Sequence, residues 1–211
     1  MSGIFVTFEG IEGCGKSTQL AMLGKWLREN GHDVVETREP GGTILGEGIR
    51  KILQTKAGCD AISFSPRAEI LLFEASRAQH VDEKIAPAIG AGKIVLCDRF
   101  CDSTVVYQGF ARAIDFETVL FLNEFASNGH TPDMTIFQSI EVTESFRRIA
   151  MRSNARDRIE QESGNFFEKV RAGYMRLAAE NARFFTVDGM DDVEIIHGKI
   201  KNEFRNRFFK N

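Results

Sequence analysis

Gly10-Ile11-Glu12-Gly13-Cys14-Gly15-Lys16-Ser17 spells G-x-x-x-x-G-K-S, directly after an apolar run at residues 4–8. Glycines at this spacing let successive backbone N–H groups curl around an anion, and a helix opening at the end of the loop adds its partial positive charge. Lys16 then reaches the outer phosphates of a nucleoside triphosphate, and the Ser17 hydroxyl ligates Mg²⁺. A second apolar run, residues 94–97, ends in Asp98-Arg99. A carboxylate at a strand end is the expected neighbour of the metal that Ser17 holds. An adjacent arginine can bridge donor and acceptor phosphates with its planar fork, although a purely structural Asp–Arg pair would look the same.

Three further segments offer chemistry. Thr37-Arg38-Glu39-Pro40-Gly41-Gly42-Thr43 packs a proline and two glycines behind a strand, which makes a stiff loop and presents Arg38 at the sheet edge, although a simple turn with a solvated arginine would look the same. Phe73 and Arg77 stand four apart and so share one helix face, where a ring can stack on a planar base and a guanidinium can donate to its carbonyls. Ordinary core packing for Phe73 and a solvated Arg77 is the plain alternative. The stretch holding Arg147, Arg148, Arg152, Arg156 and Arg158, with Asp157 and Glu160, reads either as a solvated face or as mobile charge for a phosphoryl transition state.

These residues need a scaffold, and short apolar runs alternating with helical periodicity supply one. Strands are expected at 4–9, 34–38, 94–98, 134–138 and 184–187. Helices are expected at 17–28, at 65–90 with a break at Pro87, and at 115–128, 144–151, 164–181 and 193–209. In the second helix Ala68, Leu71, Leu72, Ala75 and Ala78 recur as an apolar stripe. Alternation of this kind predicts an α/β fold with a mostly parallel sheet covered on both faces. With no linker or repeat, residues 1–211 read as one domain. The phenylalanine-rich segments (Phe116, Phe121, Phe125 and Phe204, Phe208, Phe209) suit either a core or a subunit face.

Composition narrows the class. The chain has 211 residues, a net charge of -3 and 43% apolar residues, which disfavours a nucleic-acid partner held by a basic surface. No apolar stretch approaches a membrane span, and the first residues show no charged-then-apolar leader, so no membrane partner and a cytoplasmic location are expected. Cys14, Cys59, Cys97 and Cys101 form no C-x-x-C pair and read as reduced thiols.

The segments FEGIEGCGKST, TREPGGT, LLFEASRAQH, DRFCDSTVVYQG and DRIEQES, in this order, make the chain resemble thymidylate kinases, from Ile4 to about Ala179. The resemblance implies a P-loop NTPase-type three-layer fold with a five-stranded parallel sheet flanked by helices, and a homodimer. It implies phosphoryl transfer from ATP, with Mg²⁺, to dTMP, giving dTDP in dTTP biosynthesis. ATP would lie on Gly10, Ile11, Glu12, Gly13, Cys14, Gly15, Lys16, Ser17 and Thr18. Glu12 would also meet the sugar 3′-hydroxyl of dTMP, Arg38 and Arg99 its phosphate, Phe73 and Arg77 the thymine. Tyr107 would crowd out a ribose 2′-hydroxyl, with Ser103, Thr104 and Gln108 completing the acceptor site. Ser17, Asp98 and Glu160 would serve the metal. A lid at about 147–164 would supply Arg152, Arg156 and Arg158 beside Lys16 and Arg99 as catalytic charge. Gly13 and Cys14, where some members carry an arginine, resemble the bacterial-type arrangement with its arginines in the lid. Two rivals stand beside this reading. A deoxynucleoside kinase of the same fold would use Glu9 or Glu12 as a base toward a neutral hydroxyl. A nucleotide switch would bind protein partners, but it would need a guanine-reading Asn-Lys-x-Asp loop that the sequence lacks.

Overall fold

A computed structural model describes residues 3–54, 63–151 and 158–209; Cys59, Arg152, Arg156 and Asp157 lie outside them. The strands are β1 (Ile4–Glu9), β2 (Val34–Arg38), β3 (Ile94–Asp98), β4 (Met134–Ser139) and β5 (Phe184–Asp188). They form one parallel sheet in the order β2-β3-β1-β4-β5. The connection leaving β1 runs to β2 on one side and the connection leaving β3 crosses β1 to β4 on the other, so a crevice opens beyond the carboxyl ends of the central strands. Register brings Phe8 of β1 and Arg38 of β2 level with Asp98.

The helices are α1 (Lys16–Glu29), α2 (Ile44–Leu53), α3 (Pro66–His80), α4 (Ala86–Gly90), α5 (Cys101–Thr104), α6 (Phe116–Ser127), α7 (Val142–Ala150), α8 (Gly164–Glu180) and α9 (Val193–Phe208). Alternation along β1 sends Val6 and Phe8 to one face, against Leu20, Leu23 and Leu27 of α1 and Ile196, Ile200 and Phe204 of α9. Phe5, on the opposite face, packs with Val81, Ile85 and Phe100.

The expected break at Pro87 is instead a π-helical turn, Val81–Ile85, just ahead of it. Proline cannot donate to the preceding turn and its ring crowds the carbonyl four residues back. The widened turn accommodates it, and the helical path continues from α3 into α4. A second π-helical segment, Val105–Ala111, extends α5. Its wider bonding pattern does not match 3.6-residue periodicity, and the sequence reading assigned no helix there. Nor did it place α2, which Thr43 caps by accepting the Gly46 N–H.

The apolar stripe of α3 lies largely outside: Ala68, Leu71 and Ala75 are exposed. Its polar side, with Glu69, Glu74, Ser76, Arg77 and His80, is buried. The phenylalanine question also divides. Phe204 is fully buried, whereas Phe121 and Phe125 are 67% and 76% exposed.

Candidate active site

The loop after β1 has the geometry of a phosphate cradle. Gly10 has φ +141°, and a Cβ there would lie 2.5 Å from the Gln138 carbonyl oxygen. Gly15 caps α1 with φ +104°, a left-handed conformation that disfavours side chains. No acidic residue occupies the first turn of α1, whose leading N–H groups have no acceptor within the helix. Ile11 and Cys14 are buried in the core, so only their backbone can serve a ligand. Ser17 and Thr18 are exposed. The Lys16 ammonium is buried and donates to the carbonyls of Gly10 and Ile11 at 3.0 and 3.1 Å, which poises it over the loop.

Ser17 Oγ donates to Asp98 Oδ2 at 2.6 Å. A hydroxyl and a carboxylate in contact are hard oxygen donors suited to Mg²⁺, which normally takes one or two protein oxygens and completes its shell with phosphates and water. Among the described residues no three His, Cys, Asp or Glu side chains converge into a metal cage. Glu160 stands on the wall of the same cleft.

Arg99 follows Asp98 with φ +72°, an uncommon conformation for a side-chain-bearing residue. Its N–H bonds to the Phe8 carbonyl at 3.0 Å, so the turn is anchored on β1. Nη2 then donates to Glu12 at 2.9 Å, and Nη1 to Ser103 and Tyr174 at 3.1 and 3.2 Å. The Tyr107 ring lies 5.1 Å from the guanidinium carbon, while its hydroxyl donates to both Glu12 oxygens at 2.9 and 2.7 Å. Burial opposes the guanidinium charge, yet Tyr107 and Glu12 hold its pKa well above the usual arginine value.

Arg77, 2% exposed, is the centre of a second network. Nε donates to Glu39 at 2.9 Å, Nη1 to Glu74 at 2.8 Å and Asn123 at 2.6 Å, and Nη2 to Thr104 at 3.0 Å. Glu39 also meets His80 Nδ1 at 2.9 Å, and His80 Nε2 lies 2.7 Å from the Thr37 hydroxyl. The Pro40–Thr43 loop is thereby tied to α3. Arg38, half-exposed, donates to both oxygens of Glu47 at 2.9 and 3.0 Å. The Gly42 N–H and then Arg38 keep the Glu47 carboxyl below its ordinary range.

One cleft takes in Lys16, Ser17, Asp98, Glu12, Arg38 and Arg99, and its walls continue to Phe73, Arg77, Ser103, Thr104, Tyr107 and Gln108. The arginine-rich stretch spreads out instead. Arg147 pairs with Glu144 at 2.6 Å, and Arg148 reaches the Gly189 carbonyl at 2.9 Å. Arg158 is engaged by Glu69 and donates to the Leu53 carbonyl at 3.2 Å. Burial alone would raise the Glu69 pKa, but Arg112 and Arg158 together lower it. Gln108 donates to the same carboxylate at 3.0 Å.

Sequence reasoning did not single out Tyr174, Glu69, Glu39 or His80. Tyr174 and Glu9 touch across 165 residues, and no local spacing announces such a pair. Glu39 and His80 sat inside quoted motifs, so their signal was present but not read.

The family model described as Thymidylate kinase matches residues 8–200. A thymidylate kinase of Thermoanaerobacter sp. (strain X514) is 47% identical over 95% of this chain and 96% of its own. That of Geobacter sulfurreducens is 47% identical over 97% and 98%, and that of Thermosipho melanesiensis 47% identical over 94% and 96%. Matches of this extent, on a fold with this sheet and this loop, establish that the chain belongs to the thymidylate kinase family.

Proposed function

We propose that this chain transfers the terminal phosphoryl group of ATP to dTMP, giving dTDP and ADP for dTTP biosynthesis, through the residues of the cleft. The observation that carries the reading is the place of Arg99. It bonds Glu12 of the phosphate loop and directly follows the Asp98 that Ser17 holds, so a phosphate seated on it adjoins the donor phosphates. Arg38 faces the same cleft and completes the seat. The acceptor phosphate is anionic at neutral pH, so catalysis is positioning and charge stabilisation rather than proton abstraction. Glu9 is buried behind Arg99 and fully engaged, which removes it as a base toward a neutral nucleoside.

In this reading the ATP phosphates lie on Gly10–Thr18 under Lys16. Ser17 and Asp98 hold Mg²⁺, with Glu160 nearby, and the ion when bound offsets phosphate charge. Glu12 meets the sugar, Tyr107 closes the space beside it, Phe73 stacks on the base, and Arg77 offers it an N–H. Ser103, Thr104 and Gln108 line the remaining walls. Residues 147–164 act as the lid of a single domain. Arg152 and Arg156, outside the described residues, are its catalytic candidates, and Arg158 would exchange Glu69 for phosphate to join them.

Cytoplasmic residence suits Cys14, Cys97 and Cys101, which are unpaired thiols. No helix among the described residues is long and apolar enough to cross a membrane. A homodimer would cover the exposed stripe of α3 and the exposed phenylalanines of α6.

The decisive experiment is ADP release across a panel of acceptors. dTMP should lead, with dUMP about 10–200-fold weaker in kcat/KM, since one methyl in an apolar pocket is worth no more. Thymidine should be inert. A preference for dGMP or for thymidine overturns the assignment.

A further inference from the structure

One buried carboxylate has no part in that reaction. Glu9 ends β1, is fully buried, and accepts three hydrogen bonds. Its Oε1 takes the Phe100 N–H at 2.8 Å, and its Oε2 takes the hydroxyl protons of Ser103 and Tyr174 at 2.7 and 2.6 Å. Each hydroxyl has a single proton to give. Once that proton is committed to Glu9, the oxygen is left as an acceptor. Both oxygens lie within reach of one nitrogen, Arg99 Nη1.

We propose that Glu9 is a positioning residue, acting through Ser103 and Tyr174 to hold the Arg99 guanidinium where it receives the acceptor phosphate. The proposal rests on the reading of Arg99 as a phosphate contact. A neutral amide cannot do the same work. Glutamine has one acceptor oxygen and an NH₂ group, and that donor would turn a hydroxyl proton back toward Arg99, where it competes with the guanidinium N–H groups. The position is costly for an acid: burial, and behind it Asp102, lifts the Glu9 pKa to about 7. Ionisable groups kept in such surroundings often serve a site rather than packing alone.

The test compares dTMP with thymidine, which lacks the phosphate that Arg99 would hold. Calorimetric affinities of both ligands are measured on wild-type protein and on Glu9→Gln, with MgATP affinity and thermal unfolding as folding controls. The expected result is a dTMP affinity about tenfold lower, the scale of one charge-assisted hydrogen bond, with thymidine changed less than about twofold. Equal weakening of both ligands, or of neither, overturns the role of Glu9. Should Glu9→Gln not fold, Tyr174→Phe removes one of the two relaying hydroxyls, and an unchanged dTMP-to-thymidine ratio in that variant overturns it as well. A wild-type protein that binds thymidine as tightly as dTMP sinks the phosphate seat itself. A wild-type preference that survives both substitutions sinks only Glu9.

Discussion

Arg77 illustrates how much a single side chain can be asked to hold. A guanidinium has five N–H donors in a rigid fork. Glu39 takes one, Glu74 and Asn123 share the Nη1 pair and Thr104 takes one of the Nη2 pair, which leaves one for the cleft. Arg77→Met would strand two buried carboxylates, so the expected loss is about 3–5 kcal/mol in urea unfolding. Arg77→Lys returns the charge without the fork and should recover stability better than it recovers dTMP affinity. Glu9 predicts a pH effect of opposite sense to an ordinary salt bridge. Its pKa rises from 4.5 to about 7 on folding, mainly through burial, so its stabilising share is complete below about 4.5 and lost as pH climbs through 7. The difference is worth about 3 kcal/mol. Unfolding of wild type and Glu9→Gln compared at about pH 5 and about pH 8 should show the variant gaining relative stability at the higher pH. Lys16, Ser17, Asp98, Arg99, Phe73 and Arg77 could be picked out because each sits in a short local pattern, and the fold brings them to one cleft. Tyr174 and Glu69 could not, because their meaning lies in partners that only the folded sheet brings near.

At the scale of elements, the strands were the easiest to read. Most are short apolar runs between breakers, β2 with its Val34-Val35-Glu36-Thr37-Arg38 being the exception, and β1, β2 and β3 begin and end where the sequence places them. Helices gave way where the bonding pattern changed, as in the π-helical turn before Pro87 and the segment after α5. Periodicity also located the stripe of α3 without revealing its direction, because buried charged pairs occupy the side that a simple apolar count assigns to the core. The short helix α2 was missed because Gly46 and Gly48 interrupt its first turns and follow a glycine-rich loop, a pattern that reads as more loop; three of its large apolar residues, Ile44, Leu45 and Ile52, are exposed. Its role is nevertheless close to the site. A Cβ on Gly46 would come within 2.5 Å of the Gly41 carbonyl oxygen, so α2 lies directly on the loop that carries Arg38. Backbone cannot yield as a side-chain tip can. Gly46→Ala should therefore push the loop outward, cost about 1–3 kcal/mol, and raise KM for dTMP while leaving KM for ATP nearly unchanged. Initial-rate measurements with each substrate varied in turn will separate the two.

The whole molecule joins these scales through α3, which presents two opposed surfaces. Inward, Glu69, Arg77 and His80 are buried behind the end of the cleft proposed for the acceptor; outward, Ala68, Leu71 and Ala75 meet solvent. Helix α3 packs against both α2 and α6, and on α6 Leu120, Phe121 and Phe125 are 54%, 67% and 76% exposed. An apolar surface spread over neighbouring helices is what a self-complementary interface requires, at about 800 Å² from each partner. The phosphate loop packs away from that face: Ile11 and Cys14 join a cluster with Phe137, Phe167 and Tyr174, and α1 is set against α9 and the sheet. Separating the subunits should therefore disturb the acceptor end more than the donor end. Phe121→Asp combined with Phe125→Asp places two charges, one helical turn apart, on the proposed face. Sedimentation velocity should then give the proposed dimer for the wild type and a monomer for this variant. The same variant should bind dTMP more weakly, because α3 has lost its outer support, and keep its MgATP affinity. A variant that remains dimeric would place the interface on another face. A monomer with unaltered dTMP binding would mean that the inner network holds α3 in place without help from a second subunit.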